Sequence, residues 1–195
     1  MHSVNFKFAM MLVLAGISIS GCRSIWQKPD EVMEAIALNE NDIIADIGAG
    51  RGYFSYRFAD LENSGRVYAI EINEKLLKRM QKKADARYSG KLVPVLGSYE
   101  DPNIPEKVDV IFLCNTYHHI ENRVNYFSNL EKYLNKNGRI VIVEPDNLPW
   151  YLFTLRNHQT PATKVIDELA RAGYKLIDEH DFLPVQNLLI FGIAN

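Results

Sequence analysis

The residues best suited to chemistry are two acids and the glycines between them. Asp46-Ile47-Gly48-Ala49-Gly50-Arg51-Gly52 sets an acid two residues ahead of three alternating glycines, and Glu71 follows Gly50 by 21 residues. Glycines let the chain turn tightly and let a ligand approach the backbone with no Cβ in the way. An acid that closes the next strand can accept from both hydroxyls of a ribose. Together they point to a nucleotide-type ligand. Tyr53 stands where the dinucleotide pattern Gly-x-Gly-x-x-Gly needs its third glycine, which disfavours a nicotinamide oxidoreductase. His118 and His119 are also conspicuous, but adjacent residues project differently, and the sequence assigns them no metal.

These groups need a scaffold, and the apolar pattern supplies one. Pro29 opens a helix with Val32, Met33 and Ile36 on one face. An apolar strand over 43–47 leads into the glycine turn, then a helix over 53–61 and a strand over 66–71. Asn73 is placed to cap a helix whose Leu76, Leu77, Met80 and Ala84 repeat at helical spacing. Pro94 removes a ladder donor from the strand at 92–97 and predicts an edge position for it. The strand at 108–114 is apolar enough to be covered on both faces. A helix over 121–136 ends at Asn137-Gly138, and a fifth strand covers 139–143. Thr160-Pro161 starts a last helix, and strands near 174–180 and 187–193 close the chain.

This alternation predicts an α/β domain with a mostly parallel sheet and right-handed crossovers. In such sheets a ligand lies beyond the carboxyl ends of the strands, where their order reverses. The irregular stretch 144–159 carries Trp150, Tyr151 and Phe153. It has three open readings: a pocket wall, a core plug or a membrane contact. His158 and His180 read as ordinary polar positions, and Cys114 as a small buried hydrophobe.

Length and charge narrow the field. The chain has 195 residues, 47% of them hydrophobic, with 22 Lys+Arg against 24 Asp+Glu. That suits one folded domain rather than a disordered chain. It provides no basic field for nucleic acid. Two cysteines are too few for a disulfide scaffold or a four-cysteine zinc site.

The acid followed by Gly-x-Gly-x-Gly resembles motif I of class I S-adenosylmethionine-dependent methyltransferases. The resemblance continues through Glu71, the stretch Gly97-Ser98-Tyr99-Glu100-Asp101, the stretch Asn115-Thr116-Tyr117-His118-His119-Ile120, and Asn137-Gly138-Arg139. It implies a Rossmann-like, seven-stranded sheet of order 3-2-1-4-5-7-6 with helices on both faces, and S-adenosylmethionine as cofactor. Position by position, Asp46 and the turn Gly48, Ala49, Gly50 and Gly52 would cradle the amino-acid end of the cofactor. Glu71 would hold the ribose, Ile72 would pack on adenine, and Ser98, Tyr99 and Glu100 would lie on the adenine side. Asn115 would lie near the sulfonium. His118, Asn115 and Tyr117 are the candidate catalytic residues. His118, slightly ahead of His119, is placed to take a proton from the acceptor, the other reading being a structural histidine pair.

The N-terminus tells a separate story. Lys7 precedes an apolar run over 8–19, shorter than the ~20 residues that span a bilayer and consistent with a signal peptide. Ile19-Ser20-Gly21-Cys22 resembles a bacterial lipobox. That implies a signal over 1–21, lipidation of Cys22, a short tether over 22–28 and a domain over 29–195. The protein would then be tethered to a membrane and face the periplasm, with outer-membrane sorting weakly favoured by Arg23. Two functions stay open: methyl transfer to a small-molecule acceptor, and a non-catalytic, lipid-anchored binding module on the same fold.

Overall fold

The computed structural model describes residues 26–146 and 158–194. Residues 1–25, with the expected signal segment and Cys22 among them, and Trp150, Tyr151 and Phe153 lie outside the described residues. In chain order the elements are α1 (Pro29–Ile36), β1 (Ile44–Ile47), α2 (Tyr53–Asp60), β2 (Val67–Glu71), α3 (Glu74–Arg87), β3 (Leu92–Leu96) and β4 (Val108–Cys114). They continue with α4 (Arg123–Leu130), β5 (Leu134–Pro145), α5 (Ala162–Arg171), β6 (Tyr174–His180) and β7 (Gln186–Ile193).

One seven-stranded sheet runs in the order β3-β2-β1-β4-β5-β7-β6. Strands β1 to β5 are parallel, and β7 runs antiparallel to both β5 and β6. The expected fold is the observed one. Every residue of β1 and β2 is buried, as strands covered on both faces require. Pro94 sits on β3, an edge strand, where a missing donor costs least. The order reverses between β1 and its neighbours β2 and β4, and both the glycine turn and the histidine segment leave the sheet there.

Alternating side chains send two cores to opposite faces. Ile44, Val67, Val110, Phe112 and Val141 meet α1, α2 and α3 through Val32, Phe58 and Met80. Ile47, Ile70, Ile111, Leu113 and Ile142 meet α4 and α5 through Phe127, Leu130, Val165 and Leu169. Phe112 is fully buried, with the Phe54 and Phe58 rings 4.8 and 5.2 Å away. Truncating such a residue to alanine costs about 3–5 kcal/mol.

Five boundaries differ from expectation. The helix expected over 121–136 stops at Leu130 and tightens into a 3-10 turn over Glu131–Tyr133. Strand β5 then starts at Leu134, because that apolar side chain is buried in the sheet and its backbone pairs with Val108, before an irregularity brings Arg139 opposite Val110. The same strand runs on through Glu144 and Pro145, which shortens the stretch read as irregular. The capping oxygen of α5 comes from Asp146, whose carboxylate accepts from the Ala162 N–H at 3.0 Å, rather than from Thr160. Gln27, expected in a tether, is buried and donates to Cys114 Sγ at 3.3 Å. The folded body therefore begins before Pro29.

Candidate functional site

The glycine turn is fastened to the sheet by its own amides. The N–H groups of Gly48 and Ala49 both donate to Ile70 O at 3.0 Å, and Gly52 N–H donates to Ala49 O at 2.8 Å. Gly48 and Gly50 adopt φ of +76° and +58°, a left-handed region costly for residues with a Cβ. Their surroundings differ. A Cβ on Gly48 would overlap the Thr116 side chain, whereas at Gly50 the nearest atom would be Gly48 O at 3.9 Å. Gly48 is thus required by packing, and Gly50 opens onto free space. Asp46 is buried and accepts from Ser55 Oγ at 2.5 Å, which ties β1 to the helix that follows the turn.

Glu71 ends β2 with its carboxylate held from two sides. Oε2 accepts from Gly50 N–H at 2.8 Å and Oε1 from Asn73 N–H at 2.9 Å. Each oxygen spends one acceptor site on backbone and keeps another, the arrangement that suits the two hydroxyls of a ribose. At and just beyond the ends of β2 and β3, Ile72, Leu96 and Tyr99 are exposed large apolar side chains, available as an apolar platform for a flat base. Ser98 Oγ folds this loop on itself, accepting from the N–H groups of Glu100 and Asp101 at 3.2 and 3.0 Å. Asp101 turns away from the platform to Lys132 Nζ and Tyr133 Oη, both at 2.6 Å. The cradle, the fixed carboxylate and the apolar platform fit an adenosyl cofactor.

The carboxyl ends of β4 and β5 and the amino end of the antiparallel β7 form a second, polar region. Asn115, in left-handed conformation at φ +55°, directs Oδ1 to Gln186 Nε2 at 2.7 Å. His118 Nδ1 lies 2.6 Å from Glu144 Oε1, with the two side chains only 7% and 2% exposed. Burial pushes the Glu144 carboxyl above its ordinary range, against the opposing pull of His118. Glu144 Oε2 and Gln186 Oε1 are buried without a hydrogen-bond partner among the described residues. His119 and His158 are exposed beside them, with ring centroids 4.0 and 5.3 Å from that of His118. Burial, then the neighbouring His118 and His158, lowers the His119 pKa.

One expected catalytic residue does not reach the site. Tyr117 is fully buried, packs at a tilt against the Phe127 ring 5.3 Å away, and donates its hydroxyl to Glu168 on α5 at 2.5 Å. It is a core residue, its ring turned inward because the 3-10 turn Tyr117–His119 sends successive side chains in different directions. Glu144, Gln186 and His158 were not among the sequence candidates. Glu144 carried a usable signal, an acid closing an apolar strand as Glu71 does; Gln186 carried none.

A family model described as a methyltransferase domain matches residues 38–182. The chain belongs to that methyltransferase family. Among curated relatives, the histone-arginine methyltransferase CARMER of Aedes aegypti is 34% identical over 71 residues, 36% of this chain and 12% of that protein. Its counterpart in Drosophila willistoni is 36% identical over 72 residues, 37% of this chain and 13% of that protein. This methyltransferase chain thus spans a small part of the curated relatives it matches. Among solved structures, a SAM-dependent methyltransferase from Aquifex aeolicus aligns with a TM-score of 0.74 at 19% identity, over 88% of this chain and 93% of that one. The CcbJ methyltransferase of Streptomyces caelestis gives 0.68 at 15% identity, over 87% and 90% of the two chains. The glycopeptide N-methyltransferase MtfA, complexed with S-adenosylmethionine, gives 0.72 at 12% identity, over 86% and 87%. These likenesses establish a shared fold.

Proposed function

We propose that this chain transfers the methyl group of S-adenosylmethionine to a small-molecule acceptor, as a lipid-anchored protein of the bacterial cell envelope facing the periplasm. The observation that carries the catalytic part is Glu71, whose carboxylate is oriented by two backbone N–H groups and still has an acceptor site free on each oxygen. When bound, the cofactor supplies a methyl group on a positively charged sulfur. The chain's own work is alignment. Glu71 takes the ribose, Ile72 and Tyr99 cover the adenine, and the open space at Gly50 admits the amino-acid end. Asn115, steadied by Gln186, stands between the cofactor turn and the polar region where the acceptor enters. The envelope location rests on the lipobox-like residues 19–22. Because S-adenosylmethionine is made in the cytoplasm, the competing reading is a binding module that no longer transfers methyl groups.

Calorimetry on the full-length chain in detergent separates the two. S-adenosylmethionine and its demethylated product are expected to bind, and Glu71→Ala to weaken both about 100-fold, the equivalent of two charge-assisted hydrogen bonds. No binding of either ligand would overturn the enzyme reading and leave the module. Metabolic labelling with a lipid precursor, compared between the native chain and Cys22→Ser, tests the anchor independently.

A further inference from the structure

Three imidazoles converge on the polar side of the site. The ligand nitrogens of His118, His119 and His158 all lie within 4.8 Å of one another, although His158 is 40 residues from His118. His118 Nε2 and His158 Nδ1 are 3.4 Å apart, long for a hydrogen bond. With metal–nitrogen bonds of about 2.0–2.1 Å, two nitrogens at corners of a tetrahedron are separated by roughly 3.3 Å. The spacing is therefore that of two ligands sharing one ion. His119 is exposed, so its ring is free to turn and close the wider edge of the triangle.

A second observation points the same way. Glu144 accepts from His118 Nδ1 at 2.6 Å, and this leaves the Nε2 lone pair facing the other two rings. A carboxylate behind a ligating histidine sets the tautomer and the ring orientation and raises its basicity. Glu144 is itself 2% exposed, and its second oxygen has no partner among the described residues.

We propose that His118, His119 and His158 bind one divalent transition-metal ion of the kind imidazoles prefer, such as zinc, with Glu144 as the positioning residue behind His118. Three histidines leave a fourth position open, as catalytic zinc sites do and closed structural sites do not. The packing of Gly48 against Thr116 brings the segment that carries His118 and His119 up to the cofactor turn. In the reading of the chain as a methyl-transfer enzyme, which the ion site itself does not need, the open position takes an acceptor with a hydroxyl or thiol group, whose pKa a bound cation lowers.

The test uses the full-length chain in detergent, without a histidine tag, stripped by chelator and titrated with cobalt(II), then with zinc in competition. One equivalent of cobalt is expected per chain, with the visible bands of a low-coordinate nitrogen site that zinc abolishes. Glu144→Gln is expected to weaken binding about 10- to 100-fold, and His158→Ala by more. Binding of S-adenosylhomocysteine, measured on the same samples, is expected to persist in His158→Ala, which shows the variant is folded. Uptake below one equivalent, or uptake unchanged in both variants, overturns the metal site. Metal uptake without any S-adenosylhomocysteine binding supports the ion site and defeats the methyl-transfer reading alone.

Discussion

The two halves of the sheet's carboxyl edge are built by different means. On the β1–β2–β3 side the site is made largely of backbone: a turn bonded to Ile70, and a carboxylate clamped by the amides of Gly50 and Asn73. On the β4–β5–β7 side it is made of side chains brought from distant positions: Asn115 with Gln186, His118 with Glu144, and His158. Backbone geometry survives most substitutions, so the first half suits a constant ligand. A cluster of side chains changes with each replacement, so the second half is the more readily altered by substitution.

That contrast can be broken, and the largest effects belong to the backbone-built half. Gly48→Ala is expected to cost about 2–4 kcal/mol of stability, from a left-handed φ plus overlap with Thr116; denaturant melts measure it. Gly50→Ala carries only the conformational part, about 1–2 kcal/mol, because its Cβ meets no close neighbour. Its main loss is expected in calorimetry of cofactor binding, and equal stability losses in the two variants would erase the distinction drawn between packing and ligand space.

Tyr117→Phe sharpens the boundary from the other side. It is expected to cost about 1–2 kcal/mol and to leave cofactor affinity unchanged. Burial alone would raise the Glu168 pKa, but hydrogen bonds from Arg123 and Tyr117, helped by Lys164, hold it low. A depressed carboxyl stabilises the fold above its unfolded value, about 4.3, and that contribution is lost as pH falls through the folded value. The gap between native chain and variant should therefore narrow in acid, as urea titrations near neutrality and below pH 4 would show. The smallest effect is expected for Asn187→Ala, which removes one hydrogen bond of 2.9 Å to Asp146 while Ala162 N–H keeps the carboxylate occupied: about 1 kcal/mol by thermal melting.

What was legible in the sequence follows the same division. The glycines, Glu71 and the edge position of Pro94 are local signals, each interpretable within one strand and its turn. The sheet order came from the resemblance that those motifs carry. The polar half was only partly visible, because no local pattern joins His158 to His118 or Gln186 to Asn115. Tyr117 was misread for a related reason: it lies between two site residues, and only the geometry of the 3-10 turn shows its ring pointing into the core. The start of β5 at Leu134 was hidden behind Asn137-Gly138, a pair that reads as a stop but sits inside an irregular strand.

The capping of α5 by Asp146 has a consequence beyond the helix itself. Asp146 bonds to Ala162, and Thr160 N–H donates to Pro145 O at 3.0 Å, so the chain on either side of residues 147–157 is stapled to itself. Lengthening a connection between posts already joined costs little, roughly 0.6 kcal/mol per doubling. The stability of the sheet is therefore expected to depend little on how many residues join Asp146 to His158.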